Sequence, residues 1–420
     1  MLHRVGRFQR DLTFTEAIKA TGLSAPAVLA ATVLFLSYLL RMAIIPWPLP
    51  KTLTNYTAIV LACVTAFGLM KQVVPVYIMG LLLTLPSVFN SPNLADSGLR
   101  WIGWGLLYVA VGPILSGSKV FRFRMFIMVL FVGFMHLSAI GSGLAGFAGF
   151  QLGGGRGTFW GLLSHSNILG SVASVAALDS FAQWSRSCSG RSKTLWLCIL
   201  ILELSTSMRA ASRAALLGFF VGGALLTLIS NASTKRKLFV ALVLGGCVVL
   251  GGSVIQKSES ADFTGDESLI ANLAVKGLEN TREQLWQDRI NEFQSSPLIG
   301  IGFCMGGPKS MRVNQDGFMQ EPGSSYLAAV SMTGIVGLVG FFIMIWPLFS
   351  ATYRMLRQRY GPYPPVYVYT SFYWLVAMIA EGFSHYVGSP FCFAVFLWSG
   401  VCFDSQNLYP NVNPLQVRFR

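Results

Sequence analysis

What the chain lacks most is charge. Only 11% of its 420 residues are Asp, Glu, Lys or Arg, against about a quarter in soluble proteins, so too little solvating charge is present for a water-soluble enzyme. Acid is the scarcer sign: 17 Asp and Glu stand against 31 Lys and Arg, for a net charge of +14. There is no Walker motif, no DxD pair and no HExxH, so ATP hydrolysis and a divalent-metal site are both unsupported. The seven cysteines (63, 188, 198, 247, 304, 392 and 402) form no CxxC pair and lie mostly in apolar stretches. Neither a disulfide framework nor a zinc site is indicated. Internal repeats and low-complexity tracts are absent as well.

What is present is apolar length. Hydrophobic residues make up 53% of the chain, with 31 Phe and 43 Gly, and the mean hydropathy is +0.58. This mixture is common in membrane helices and rare in soluble ones. Apolar runs fall at about 23–40, 55–70, 73–89, 101–116, 125–142, 162–182, 194–207, 214–230, 238–255, 326–349, 366–382 and 390–403. A helix needs roughly 20 such residues to cross a bilayer, so the expectation is an all-α polytopic membrane protein of about twelve spans. The first run ends at Arg41 without a small-residue cleavage site and reads as a retained span. Three regions follow: a membrane region over 1–255, an extramembrane loop over 256–325, and a second membrane region over 326–420.

The Lys/Arg bias of short loops sets the orientation. With the N-terminus in the cytoplasm, 19 of the 31 basic residues fall on the cytoplasmic side, including Arg4, Lys71, Arg122, Arg124, Arg186 and Arg354. Six sit in the short outer loops or at outer span ends: Arg41, Lys51, Arg100, Arg156, Arg209 and Arg213. The remaining six lie in 256–325, a segment long enough to translocate regardless of charge. That segment also holds ten of the 17 acids. Within it, 268–294 reads as an amphipathic helix bounded by Pro297. Arg282, Trp286, Arg289 and Phe293 share one of its faces, the two guanidinium groups about 10 Å apart along the axis.

Basic residues at the outer face are the anomaly. Arg209 and Arg213, four apart in STSMRAASR, can project from one side of a turn. Arg156 lies in the glycine-rich GGGRGTFW, followed by His165 and Asn167. Arginine presents a planar fork of donors suited to phosphate oxygens, and such a cluster beneath a polar lid is what a lipid-linked pyrophosphate would need. The alternatives are plain ones. Arg209 and Arg213 can snorkel to headgroups, and Arg282 and Arg289 can pair with Glu279, Glu283, Asp288 or Glu292. His136, His165 and His385 fall on the outer half or in outer loops, where a lone His is more often a structural hydrogen-bonder. Glu203 is the one clear acid well inside a run, expensive to bury and so either functional or paired with an Arg.

Three stretches then point to a family. RGTFWGLLSHSNILG (156–170), LSTSMRAASRAALLG (204–218) and TREQLWQDRINEFQSSPLIGIGF (281–303) are followed by YLAAVSMTGIVGLVGFF (326–342). In order and placement they resemble the bacterial O-antigen ligase and O-antigen/exopolysaccharide polymerase superfamily of integral-membrane glycosyltransferases. The resemblance implies a GT-C-like helical fold and a glycan on undecaprenyl pyrophosphate as substrate. It further implies metal-independent glycosyl transfer, with no cofactor and no nucleic acid. Arg209, Arg213 and Arg282 match the family's arginines for the pyrophosphate. Arg156, His165, Asn167, Trp286, Arg289 and Tyr326 would contact substrate. Membrane lipids, a flippase and a chain-length regulator are the implied partners, and the bacterial inner membrane, with both termini cytoplasmic, the implied location.

One departure stands out. The family commonly has His-Asn before the Tyr-Leu, and in ligases that His is regarded as the catalytic base. Here the position reads Gly323-Ser324-Ser325-Tyr326-Leu327. Serine cannot replace imidazole as a base near neutral pH. Either another group does that job or this branch needs no dedicated base; Glu321 ranks first as a substitute on sequence proximity, with Asp316, His165 and His385 on the same side. The missing His favours a polymerase over a ligase, with a transporter as the reading from another class.

Overall fold

The computed structural model describes residues 22–42, 51–150, 159–187, 189–210, 212–229, 281–306, 323–357 and 366–408. Helices occupy eleven of the twelve apolar runs, and the run at 238–255 lies outside the described residues. In chain order they are α1 (Ala25–Met42), α2 (Lys51–Leu69), α3 (Pro75–Leu82), α4 (Pro86–Phe89), α5 (Leu94–Val111), α6 (Ser118–Phe147), α7 (Ser166–Arg186), α8 (Gly190–Arg209) and α9 (Arg213–Ile229). After the gap come α10 (Thr281–Ser295), α11 (Ser325–Leu356), α12 (Val366–Ala380) and α13 (Pro390–Leu408). The chain is an all-α membrane protein. Among the described residues, four helices, α1, Thr52–Leu69 of α2, α6 and α11, are long and apolar enough to cross a bilayer. Large apolar side chains point outward from them, among them Val64 at 66%, Leu137 at 72% and Trp346 at 61% exposure. Faces of this kind need lipid rather than water.

Connections alternate between two ends of the bundle. At one end β1 (Gln72–Val73) pairs antiparallel with β2 (Leu115–Ser116), joining the links that follow α2 and α5. At the other end, Ser164 N–H donates to the Met42 carbonyl at 2.7 Å. There too the Val387 carbonyl accepts from Tyr38 and Asn55, and Asn90 donates to Ser296 at 3.2 Å. Counting α3 and α4 as one crossing, the second and fourth links meet at the first end, and the described parts of odd links, at 90–93, 159–165, 296–306 and 381–389, meet at the other.

Two boundaries differ from the apolar runs for local reasons. The run at 101–116 predicts a later helix than α5, which starts at Leu94 because Asn93 caps it, its side chain accepting from Asp96 N–H. It stops before Gly112-Pro113, and the remaining apolar residues form β2. Helix α6 extends beyond 125–142 at both ends and so takes in Arg124. That arginine is therefore no loop charge. It is fully buried, with Nη1 2.5 Å from Asp404 Oδ2, and it donates to the carbonyls of Gly112 and Leu115.

Small residues let the central helices approach. Helix α7 is buried along most of its length and packs closely on α8. Ser174 and Ser207 hydroxyls meet at 2.7 Å, and Thr206 donates to the Ala139 carbonyl at 3.0 Å. These are the short contacts that hold helices together where lipid removes the hydrophobic drive.

Helix α10 is the described part of the expected amphipathic helix; 268–280 lies outside the described residues. The segment after it bonds to α11 as an extended strand would. Ile301 and Gly302 donate to the Ser331 and Met332 carbonyls, while Ile335 and Val336 donate to those of Pro297 and Leu298. To allow this, α11 breaks at Gly334, with φ 65° and ψ −170°. A Cβ at Gly334 would meet the Leu298 carbonyl oxygen at 2.2 Å, so glycine is required there. The Pro-Leu-x-Gly-x-Gly pattern is thus a docking strip that fixes α10 over one end of the bundle.

Candidate functional site

The end of the bundle where the odd links meet holds a cavity of about 650 Å³, within the usual range for small-molecule sites. Its floor is apolar, with Phe131 and Met135 of α6, Trp374 of α12 and Phe391 of α13. Polar groups stand around it: Arg41 at the end of α1, Asn55 and Tyr56 in α2, Arg100 in α5, and Glu381 and His385 after α12. His165 and Asn167, both expected from sequence, line the same cavity at the start of α7.

Each polar group has a structural reason for its place. Arg41 reaches Thr52 Oγ1 at 3.4 Å and lies against Gly388, where a Cβ would meet its Nη1 at 1.4 Å. Asn55 is held by the Ser37 hydroxyl at 3.0 Å. His165 caps α7, its Nδ1 accepting from Asn167 N–H at 3.1 Å, and its ring stacks on Trp160. That acceptance fixes the proton of a neutral ring on Nε2. His385 sits parallel to Trp104 at 5.7 Å, with Phe303 and Phe341 closing the box. Burial pushes its pKa down to about 3, so it stays neutral. Burial likewise pushes the Cys304 thiol up to about 12, opposed by the charge of Arg100. The Tyr386 phenol is raised by burial and by Cys304, and lowered by Arg100 and Arg289.

The other expected site residues divide between described and undescribed positions. Arg209 ends α8 with its guanidinium 4.6 Å above the Phe147 ring. Arg213 opens α9 and Arg282 stands in the first turn of α10. Arg156 and Glu321 lie outside the described residues. On α10 the buried face is Leu285, Arg289 and Glu292, with Trp286 and Phe293 at its edge. Arg289 Nη1 is 2.6 Å from Glu292 Oε2 and buried, so it takes the salt-bridge alternative. Trp286 donates its indole N–H to the Gly323 carbonyl at 3.3 Å. Tyr326 donates to the Leu375 carbonyl at 3.0 Å and stacks on Phe342. Among the described side chains, Arg209, Trp286, Arg289 and Tyr326 do not line the cavity.

Glu203 finds a histidine rather than an arginine. His136 Nδ1 is 2.6 Å from its Oε1, and the Ser180 hydroxyl donates to its Oε2 at 2.7 Å. His136 Nε2 is 3.1 Å from Asp179, whose other oxygen accepts from Tyr369. Glu203 is therefore not alone: Asp179 and Asp404 are also buried acids inside helices.

Sequence reasoning passed over Arg41, Arg100 and Glu381. The signal was present for the arginines, two of the six basic residues that break the orientation bias at the ends of apolar runs. Glu381, at the close of the run 366–382, carried the same kind of signal with opposite sign.

Residues 195–342 match the O-antigen ligase family. The exopolysaccharide production protein ExoQ of Rhizobium meliloti (strain 1021) is 24% identical over 230 residues, half of this chain and half of that protein. The resemblance to the O-antigen ligase and exopolysaccharide polymerase superfamily is thereby borne out. The family match contains Arg209, Arg213, Arg282 and Tyr326, whereas Arg41, Arg100 and Glu381 lie outside it.

Proposed function

We propose that the chain is a polymerase that joins undecaprenyl-pyrophosphate-linked oligosaccharide repeats into an exopolysaccharide or O-antigen. It would work at the outer face of the inner membrane, with twelve spans and both termini in the cytoplasm. The observation that carries this reading is the cavity, which combines an apolar floor, two arginines and a carboxylate. It opens at the end of the bundle that the Lys/Arg bias assigns to the outside. The two arginines suit a pyrophosphate, the apolar floor suits the isoprenoid or a sugar face, and the volume suits a few sugar rings.

In the reaction an acceptor hydroxyl attacks the anomeric carbon and the lipid pyrophosphate leaves with the bonding electron pair. Negative charge grows on the leaving oxygen, so fixed cations stabilise the transition state more than the bound donor. Arg41 and Arg100 serve this role on geometric grounds. Arg209, Arg213 and Arg282 serve it on motif grounds, with Arg156 and Arg289 secondary. Helix α10 would act as a lid, tied to the residues before α11 by the bond from Trp286 to the Gly323 carbonyl. A flippase and a chain-length regulator would be working partners.

A ligase reading has the family description behind it, and the acceptor separates the two. A deletion strain that holds single lipid-linked repeats and no polymer identifies a polymerase; long polymer retained on the lipid carrier identifies a ligase. Purified protein given the lipid-linked repeats from that strain should produce a ladder spaced by one repeat. The absence of both a ladder and transfer to added lipid A core would overturn the glycosyltransferase reading.

A further inference from the structure

We propose that Glu381 is the general base of this site, standing where the sequence around Tyr326 lacks one. The inference rests on the glycosyl-transfer reading above. Glu381 follows the last turn of α12, is 4% exposed and lines the cavity. Its turn is bound to the stretch in which the family places His-Asn. The Ser325 hydroxyl donates to the Glu381 carbonyl, and the Ser324 hydroxyl donates to that of Met378 at 3.4 Å. The serines before Tyr326 therefore fasten a carboxylate-bearing turn to the position where an imidazole is missing.

The other groups around the cavity are poorer acceptors of a proton. His165 already uses Nδ1 as acceptor for the α7 cap, so the neutral ring offers only an N–H. His385 lies in a box of three aromatic rings, where taking a proton would create a buried cation. A carboxylate taking a proton loses charge instead, which a buried wall favours. Tyr56 of α2, Tyr386 and Cys304 bear a proton near neutral pH, and Arg41 and Arg100 are cations. Glu381 is the one carboxylate lining the cavity among the described residues.

The step balances simply. The acceptor oxygen bonds to the anomeric carbon, the bond from that carbon to the pyrophosphate oxygen breaks, and the electron pair leaves with the lipid pyrophosphate. The hydroxyl proton passes to a Glu381 carboxylate oxygen and from there to water once the product departs.

The test uses the full chain in nanodiscs with lipid-linked repeats extracted from the deletion strain. Glu381→Gln should lower kcat by about 10²–10⁴-fold, the usual contribution of a general base, with the KM for the lipid-linked donor nearly unchanged. Glu381→His should recover part of the rate and move the acid limb of the pH–rate profile upward, because imidazole protonates in a higher range than a carboxylate. If Glu321→Gln loses the rate while Glu381→Gln keeps it, the base is Glu321 and the proposal is overturned. Wild-type turnover by Glu381→Gln overturns the proposal, as does loss of donor binding together with rate in both Glu381 variants. If Glu381→Gln does not fold, Glu381→His decides, and an unmoved acid limb overturns the assignment. If the wild-type chain itself neither polymerises nor transfers the donor, it is the underlying function that fails.

Discussion

Both ends of this bundle bury charge, and they do so in opposite ways. At the end built from the even links, Arg124 and Asp404 are fully enclosed. The arginine bonds the carboxylate and two carbonyls, and Ser116 adds a bond to Asp404. At the end built from the odd links, Arg41, Arg100 and Glu381 stand around an open volume. The chain also encloses His136, Glu203 and Asp179 inside the bundle in a mutually bonded set. The lesson is about occupancy: a buried charge whose donors and acceptors are consumed by the protein holds helices together. One that also lines a cavity can act on whatever enters it.

The sharpest way to break the closed end is to remove one partner. Arg124→Met or Asp404→Leu alone should destabilise the protein by about 3–5 kcal/mol, because each leaves an uncompensated buried charge. The double variant should recover most of that loss in a detergent melt. The open end should behave the other way round. Arg41→Ala or Arg100→Ala should cost about 10²–10³-fold in kcat, as for a lost transition-state donor, with a smaller fall in melting temperature than Arg124→Met. Gly388→Ala should mimic Arg41→Ala more weakly, since its Cβ would displace the guanidinium. An Arg100→Ala variant that melts as early as Arg124→Met would erase the contrast.

Smaller effects sharpen it further. His385 is neutral when folded, with a pKa lowered to about 3 by burial, while an unfolded histidine protonates near 6.5. Protons therefore bind the unfolded state first, so stability should fall as pH drops from about 6.5 towards 3. His385→Phe should lose most of that acid sensitivity in melts at stepped pH. Smallest of all, Trp286→Phe removes one bond from α10 to Gly323 and should cost about 0.5–1.5 kcal/mol. Faster hydrogen exchange confined to α10 would report it.

Much of the architecture was legible beforehand because lipid imposes it. A backbone in hydrocarbon must satisfy its own hydrogen bonds, so a long apolar run reads as a helix. The differences arose where local chemistry outweighs hydropathy. Asn93 and Pro113 moved the limits of α5, and α6 absorbed Arg124 because Asp404, 280 residues away, neutralises it. The site was legible only in part. His165 and Asn167 line the cavity, but Arg289, chosen for its helical spacing with Trp286, turned inward to Glu292. Spacing identifies which residues share a face; it does not say which face is buried.

Composition, run length and the Lys/Arg bias by themselves determined that this is an all-α membrane chain with its unusual arginines gathered towards one side. Those are one-dimensional quantities, set by bilayer thickness and by the cost of moving charge through it. Which arginines would stand around a common cavity was decided by tertiary structure alone. Arg41, Arg100 and Glu381 are separated by 59 and 281 positions in sequence and meet only because α1, α5 and α12 bring their ends to the same side of the bundle. Whether a charge is consumed or left facing space depends on partners far along the chain, and no local window contains them.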